Sequence, residues 1–443
     1  MLSDILSRVG GLGWTVAFFV IALGIIVAVH EYGHYIVGRW SGIHAEVFSL
    51  GFGPVLFRRR DKRGTQWQIA AIPLGGYVKF LGDSNAASGQ DAGAMAGMSE
   101  AERRHTMHGA PLWARAATVA AGPVFNFVLA LVVFMGMIQW TGVATGNPTI
   151  GKLPVYPFTG PSLEVGDRIL SVEGQPTPDL DALAMIADKL PAAPAVTYQV
   201  ERAGQTIEVK GPHPMPPLVK GVQPASAAMA AGIQVGDVVL QAGGQPVFSF
   251  DQLRETVGAS DGKPVDLVIL RGGDQISLSI TPERRDLPLA DGGFETRWLL
   301  GLSGGLLIEP ELRHAGPLET VQMAAEQSWM VAKSSLSGLW HVVTGAISRC
   351  NISGPIGMAE VLGDAARSGP MDFLSLLATL SLGIGLINLF PIPVLDGGHL
   401  VFHVYEALTG RPPSARALGL LMSVGLAVVL SFMAFALTND LSC

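Results

Sequence analysis

The chain has 443 residues, of which 49% are hydrophobic and only 15% charged; ordinary soluble proteins carry about 25% charged residues. The composition excludes a disordered chain and a typical soluble enzyme. The net charge of −7 excludes a nucleic-acid binder carried by bulk charge.

The apolar residues are concentrated. Residues 9–30, 116–151, 373–395 and 417–437 are uncharged, and each stretch is long enough to cross a hydrocarbon core as a helix, which takes about 20 residues. The sequence predicts transmembrane helices at 10–37, 114–140, 373–398 and 416–437. The first run lacks a basic start and a small-residue cleavage site and ends in His30 and Glu31, so it reads as a retained helix rather than a cleaved signal. The loop from 38 to 111 carries nine Lys/Arg, including Arg58, Arg59, Arg60, Lys62 and Arg63, against one in the N-terminal tail. Basic loops stay cytoplasmic, so both termini and the segment between helices two and three are expected outside. Within that first loop, residues 46–80 predict two strands around a basic turn at 58–63, and 84–100 reads as a flexible loop.

Two outer segments repeat at a spacing of 70 residues. Val165-Gly166-Asp167 and Val235-Gly236-Asp237 each precede an alternating apolar run and a Gly turn, then a short helix (179–189; 249–257) and a β-rich stretch (196–209; 265–280). The pattern resembles PDZ domains of the bacterial protease type, expected over 146–215 and 216–284, which hold peptide C-termini by strand addition. The first copy is degenerate at its start, where Tyr156-Pro157-Phe158-Thr159-Gly160 replaces the usual small-residue helix. Residues 285–372 read as a brace, with an interfacial or core helix around 334–348.

The chemistry lies where the first and third helices end. His30 and His34, four apart on one helical face, can reach one metal, and Glu31 between them is placed to activate a metal-bound water. A catalytic zinc usually takes three protein ligands. Asp396 sits in a helix break made by Pro391, Pro393, Gly397 and Gly398. The predicted topology brings the ends of helices one and three to the same side, so Asp396 can supply the third ligand. His399 and His403, also four apart, have no Glu between them and are expected behind the ligands or exposed. His44, His105, His108, His213, His314 and His341 read as structural or solvated. Cys350 and Cys443 have no metal-ligand spacing and argue for no disulfide framework.

His30-Glu31-x-x-His34 and Leu395-Asp396-Gly397 on two membrane helices resemble the site-2 protease family of intramembrane zinc metalloproteases. The tandem PDZ-like region between helices two and three resembles its regulator-of-sigma-E protease subgroup. The resemblance extends to Gly122-Pro123-Val124-Phe125-Asn126-Phe127, to residues 351–357 and to Asn388 with Pro391-Ile392-Pro393. It implies a polytopic α-helical membrane protein with four transmembrane helices, a membrane-associated β-hairpin and two extracytoplasmic α+β PDZ-like domains. It also implies Zn2+ held by His30, His34 and Asp396, Glu31 as the catalytic base, and Asn388, Asn126, Pro391 and Pro393 along the substrate. The implied partners are the lipid bilayer, transmembrane substrates such as anti-sigma factors, leftover signal peptides and an upstream site-1-type protease, with no nucleic acid. The implied location is a bacterial inner membrane, with the PDZ pair and both termini in the periplasm and the active site near the cytoplasmic side. A non-catalytic peptide-binding membrane protein and a zinc transporter are the rival classes. The transporter is disfavoured because the uncharged runs of helices two and four carry no ionisable path.

Overall fold

The computed structural model describes residues 2–84, 93, 97–158, 162–288, 294–345 and 353–442. The sequence expectations for residues 159–161, most of the 84–100 loop, Cys350, Asn351, Ile352 and Cys443 fall outside these. The chain forms two compact units. One comprises residues 1–137, 318–340 and 352–443, the other 138–317 and 341–351.

The first unit contains the membrane helices. Among the described residues, four helical segments are long and apolar enough to cross a membrane: Gly11–Trp40, Leu112–Thr141, Pro370–Asn388 and Arg416–Ser442. Helix α1 (Leu2–Trp40) ends in a loop that leads to strands β1 (Ala45–Arg60) and β2 (Gln66–Phe80). Helix α2 (Leu112–Thr141) carries Pro123 in its interior, where proline removes one i→i−4 hydrogen bond. After α3 (Pro317–Val343) and α4 (Pro355–Ser368) come α5 (Pro370–Asn388), α6 (Asp396–Thr409) and α7 (Ala415–Ser442).

The third expected span, 373–398, is shorter than predicted. Helix α5 stops at Asn388, and a new helix starts at Asp396. Pro391 and Pro393 have no N–H to continue the ladder, and the chain crosses the gap through a tight turn in which Ile392 N donates to Phe390 O and Leu395 N to Ile392 O. Asp396 therefore opens a separate helix instead of closing the membrane helix. Both glycines after it are required by this turn. A Cβ on Gly397 would strike the carbonyls of Leu389 and Phe390, and one on Gly398 would strike the carbonyl of Ile392. Pro393 also packs on α7, 3.2 Å from a Cβ built on Gly425. The helix expected around 334–348 begins much earlier, at Pro317.

At the other end of this bundle, α4 joins α1 to α7. The Asp440 carboxylate near the end of α7 accepts from the backbone N–H groups of Gly354, Ile356 and Gly357 at 2.6, 2.9 and 3.2 Å. These are orphan donors of the first turn of α4, so an anion there is favourable. On α1, Trp14 Nε1 donates to Gly363 O, and a Cβ on Gly363 would meet the Thr15 backbone at 2.9 Å.

Strands β1 and β2 fold on themselves. Phe48, Ser49 and Leu50 are paired with Val78, Tyr77 and Gly76 on one edge and with Trp67, Gln68 and Ile69 on the other. The second half of β1 returns along β2, with Phe57 facing Ile69 and Arg60 facing Gln66. The bend sits at Gly51, whose φ of +90° and whose approach to Ile72 O and Ala70 O suit only glycine. Residues 55–60 and 76–80 become the outermost segments of a compact sheet.

The second unit holds the two repeats, and they fold alike. Strands 168–172, 175–176, 196–202 and 205–211 make one four-stranded sheet, and strands 238–242, 245–246, 265–271 and 274–280 make the other in the same order. Both have a register shift at the same place, Ile169/Ser171 and Val239/Gln241. Each carries a helix at the same place, Leu180–Lys189 and Phe250–Gly258, capped by Asp179 and Ser249, and the second repeat has in addition the short helix Ala227–Ala230. The shared Val-Gly-Asp turn has a physical reason. Gly166 and Gly236 adopt φ of +94° and +95°, while Asp167 and Asp237 turn inward to 1% exposure. Each buried carboxylate accepts a backbone N–H, of Glu164 or Gln234, and a two-pronged arginine, Arg202 or Arg271. Residues 300–313 lie outside both repeats yet contribute to both cores: Leu300 packs with Val239 and Leu267, Leu307 and Ile308 with Ile169 and Tyr198.

Arg271→Ala leaves Asp237 buried with one hydrogen bond and no counter-charge, which costs about 1–3 kcal/mol. Limited proteolysis of the full chain should open 216–284 first in that variant and 146–215 first in Arg202→Ala. Wild-type resistance in both would show that these pairs do not hold the sheets.

Candidate metal centre

The site forms where α1 and α2 pack without side chains between them. A Cβ on Gly33 would lie 2.5 Å from Ala121 O and 2.9 Å from Phe125 Cγ. Across the same contact, a Cβ on Gly122 would fall on the ring of His34 and 2.8 Å from Cε1 of His30. Glycine at 33 lets the helices touch, and glycine at 122 leaves a hollow that the two imidazoles fill. Small residues of this kind are the usual means of close helix approach in membranes.

The rings are oriented from behind. His34 Nδ1 lies 2.8 Å from Thr118 O. A carbonyl only accepts, so Nδ1 carries the proton and Nε2 presents a lone pair. His30 Nδ1 lies 3.2 Å from the Asn126 amide, whose Oδ1 is buried without a partner. Turning that amide places Oδ1 against His30 Nδ1, satisfies the orphan oxygen and leaves His30 Nε2 unprotonated; the two amide orientations have nearly the same shape.

Both Nε2 atoms face Asp396. His30 Nε2 and His34 Nε2 are 3.1 Å apart, and Asp396 Oδ2 lies 3.2 Å and 3.6 Å from them. Three tetrahedral zinc ligands with bonds of about 2.0 Å stand about 3.3 Å from one another, so the triangle fits that ion. Asp396 Oδ2 is buried and accepts no hydrogen bond, and among the described residues this is the one cluster of three or more His, Cys, Asp or Glu with metal-ligand spacing. The chemistry of the donor set, two imidazoles and a carboxylate, suits zinc. The helix carrying Asp396 is fixed further along by Arg115 of α2, which grips both oxygens of Glu406 at 3.0 and 2.6 Å.

A cavity of about 320 Å³ opens on this triangle. Glu31 lines it, as do Asn388 and the Gly76–Val78 segment of β2. Gly76 is needed there: its Cβ would lie 2.9 Å from Glu31 Cγ and from Val27 Cγ1. His34 lies about 9 Å and His30 about 15 Å before the end of α1 at 1.5 Å per residue, so both fall within the apolar segment Gly11–Trp40.

A family model described as Peptidase family M50 matches residues 18–432. The chain belongs to peptidase family M50. It is 33% identical to the regulator of sigma-E protease of Escherichia coli, over 97% of this chain and 98% of the relative. The same identity class holds for the regulator of sigma E protease of Salmonella typhimurium, 34% over 97% and 98%. A protein of Agrobacterium fabrum provisionally named a zinc metalloprotease is 34% identical over 100% of this chain and 99% of its own length. The chain is thus an intramembrane zinc metalloprotease of the site-2 type.

The sequence-selected residues separate in space. His30, Glu31, His34, Asn388 and Asp396 share the cavity wall. Asn126, expected along the substrate, is fully buried behind His30, and Pro391 and Pro393 belong to the turn before Asp396. His399 and His403, read as behind the ligands or exposed, line the same cavity, joined by His108 and Arg115. Sequence reasoning missed the Gly122 hollow, the Thr118 carbonyl and the Arg115–Glu406 pair. The one signal for the hollow was a glycine preceding a proline in the uncharged run 116–151.

Gly122→Ala puts a methyl group into the space of the two rings. Zinc affinity of the purified protease should fall by about 10- to 100-fold, the usual cost of disturbing the groups that orient a ligand. A Gly122→Ala protein that competes for zinc like wild type against a chelator would mean that the ring positions are not set by this contact.

Proposed function

We propose that the protease cuts single-pass membrane segments already trimmed on the outer side, with His30, His34 and Asp396 holding zinc and Glu31 acting as general base. The observation that carries this reading is the triangle of His30 Nε2, His34 Nε2 and Asp396 Oδ2, with Glu31 on the wall of the same cavity. Zinc bound there supplies Lewis acidity and lowers the pKa of a bound water. The rest falls to the chain. Glu31 accepts the proton of the attacking water and returns it to the leaving amine. Thr118 and Asn126 hold the rings in the tautomer that leaves Nε2 unprotonated. Asn388 offers an amide to the substrate strand or to the charge that develops on its carbonyl oxygen, where a donor in a site poor in water counts most.

A membrane helix must unwind before its carbonyls can be attacked. The outermost sheet segment, residues 76–80, runs along the cavity and is suited to pair with an extended substrate strand. The two repeated domains of the second unit are read as PDZ domains that exclude bulky, untrimmed substrates or sense new C-termini. Anti-sigma factors and leftover signal peptides are the proposed substrates. The proposed setting is a bacterial inner membrane, with the repeats and both termini in the periplasm and an upstream protease making the first cut. The relatives from Escherichia coli and Salmonella typhimurium, named for regulation of sigma E, support this substrate class.

Glu31→Gln should retain zinc while cleavage of a trimmed model membrane peptide falls by about 10²- to 10⁴-fold, the usual share of a general base. Asp396→Ala should lose both metal and activity. Undiminished cleavage by the Glu31 variant removes the base, and full zinc content in the Asp396 variant removes the third ligand.

A further inference from the structure

The sheet formed by β1 and β2 meets α1 at a second hollow, which shares no lining residue with the metal cavity. Between α1 and the sheet lies a pocket of about 410 Å³ lined by Ala28, Val29, Tyr32, Phe57, Trp67 and Ile69 among others, with almost no polar surface. Ala28 and Tyr32 precede the end of α1 by about 18 and 12 Å, so the pocket lies within the membrane span. Its outer wall is exposed and apolar: Phe57 is 61% exposed and Ile69 50%.

The strand register fixes the direction of this surface. Phe57 faces Ile69, which neighbours Leu50, while Arg60 faces Gln66, which neighbours Val47. The strand therefore climbs from the apolar pocket to the level of the residues that follow α1. Thr65 Oγ1 donates to Ala45 O at 2.8 Å and ties the turn to that level. Trp40 and Trp113, 73% and 65% exposed, mark the same height, as aromatic residues do at a membrane interface.

At that height stand Arg58, Arg59, Arg60, Lys62 and Arg63, all exposed and without an ion pair among the described residues. The one acid in the turn, Asp61, is occupied. Its Oδ1 accepts from the N–H groups of Arg63 and Thr65, and its Oδ2 from the indole of Trp67. That last bond joins the basic turn directly to the pocket wall. Arg59, opposite Trp67 and two residues beyond Phe57, shares the pocket's face.

We propose that this surface is a binding site for an anionic phospholipid, with an acyl chain in the Phe57–Trp67–Ile69 pocket and the phosphate at Arg58, Arg59, Arg60, Lys62 and Arg63. Cations at this level attract an anionic headgroup, and an apolar slot below them accepts the chain attached to it. A soluble phosphate would have no use for the pocket, and a zwitterionic lipid none for five unpaired cations. The site lies toward the 55–60 edge of the sheet, and the metal cavity is lined by the other edge, 76–80.

The test uses the purified full-length protease in detergent, with phosphatidylglycerol and phosphatidylcholine offered together and retained lipid counted by native mass spectrometry. Phosphatidylglycerol is expected to be retained in preference. Retention should fall about fivefold for each cation removed, in R58Q/R59Q/R60Q and separately in K62Q/R63Q, with zinc content unchanged. Ile69→Trp, which fills the pocket and keeps every charge, should also lower retention. Equal retention of the two lipids, undiminished retention in both charge variants, or displacement of the lipid by millimolar glycerol 3-phosphate would overturn the proposal; the last outcome would indicate a soluble phosphate ligand. Unchanged retention in Ile69→Trp would overturn the acyl-chain contact.

Discussion

The contact between α1 and α2 at Gly33 and Gly122 is the constraint on which the centre depends. Two histidines four apart on a membrane helix point the same way in any sequence. Here they can converge because Gly122 on the facing helix leaves room for both rings, with the Thr118 carbonyl and the Asn126 amide behind them. A membrane interior punishes polar groups left unpaired. The same contact that brings the rings together also satisfies their far nitrogens, while Asp396 Oδ2, facing both Nε2 atoms, is buried and accepts no hydrogen bond.

The third donor reaches the site by a different route. Prolines 391 and 393 end the membrane helix early and the glycines after Asp396 let the turn close on itself. A short, separate helix then begins with the carboxylate in its first turn. The Arg115–Glu406 pair anchors that helix to α2, so both sides of the triangle are tied to the same neighbour. Irregular backbone at this depth is tolerated where it lines a cavity, and the cavity at Asn388 and Asp396 meets that condition.

Much of this was legible in the sequence, for reasons that differ by element. The four apolar runs are legible because the bilayer imposes a length, and the repeats because Val-Gly-Asp demands both a left-handed glycine and a buried carboxylate at a fixed place. His30, Glu31, His34 and Asp396 stand out because ionisable residues at the end of an apolar run need a reason to be there. What escaped depends on contacts between distant segments. Asn126 is expected along the substrate, and its contact with His30, 96 residues away, carries no mark in the sequence. The reach of residues 300–313 into both repeat cores, and the folding of β1 and β2 into a sheet paired on both edges of residues 48–50, carry no periodic mark of their own.

The account's central claim is that zinc is held by two imidazoles and one carboxylate at the α1–α2–α6 junction. Zinc X-ray absorption of the purified wild-type protease addresses it most directly. The claim predicts only nitrogen and oxygen scatterers at about 2.0–2.1 Å, with the outer-shell signature of two imidazole rings. A sulfur scatterer at about 2.3 Å, or the signature of a single ring, would contradict it.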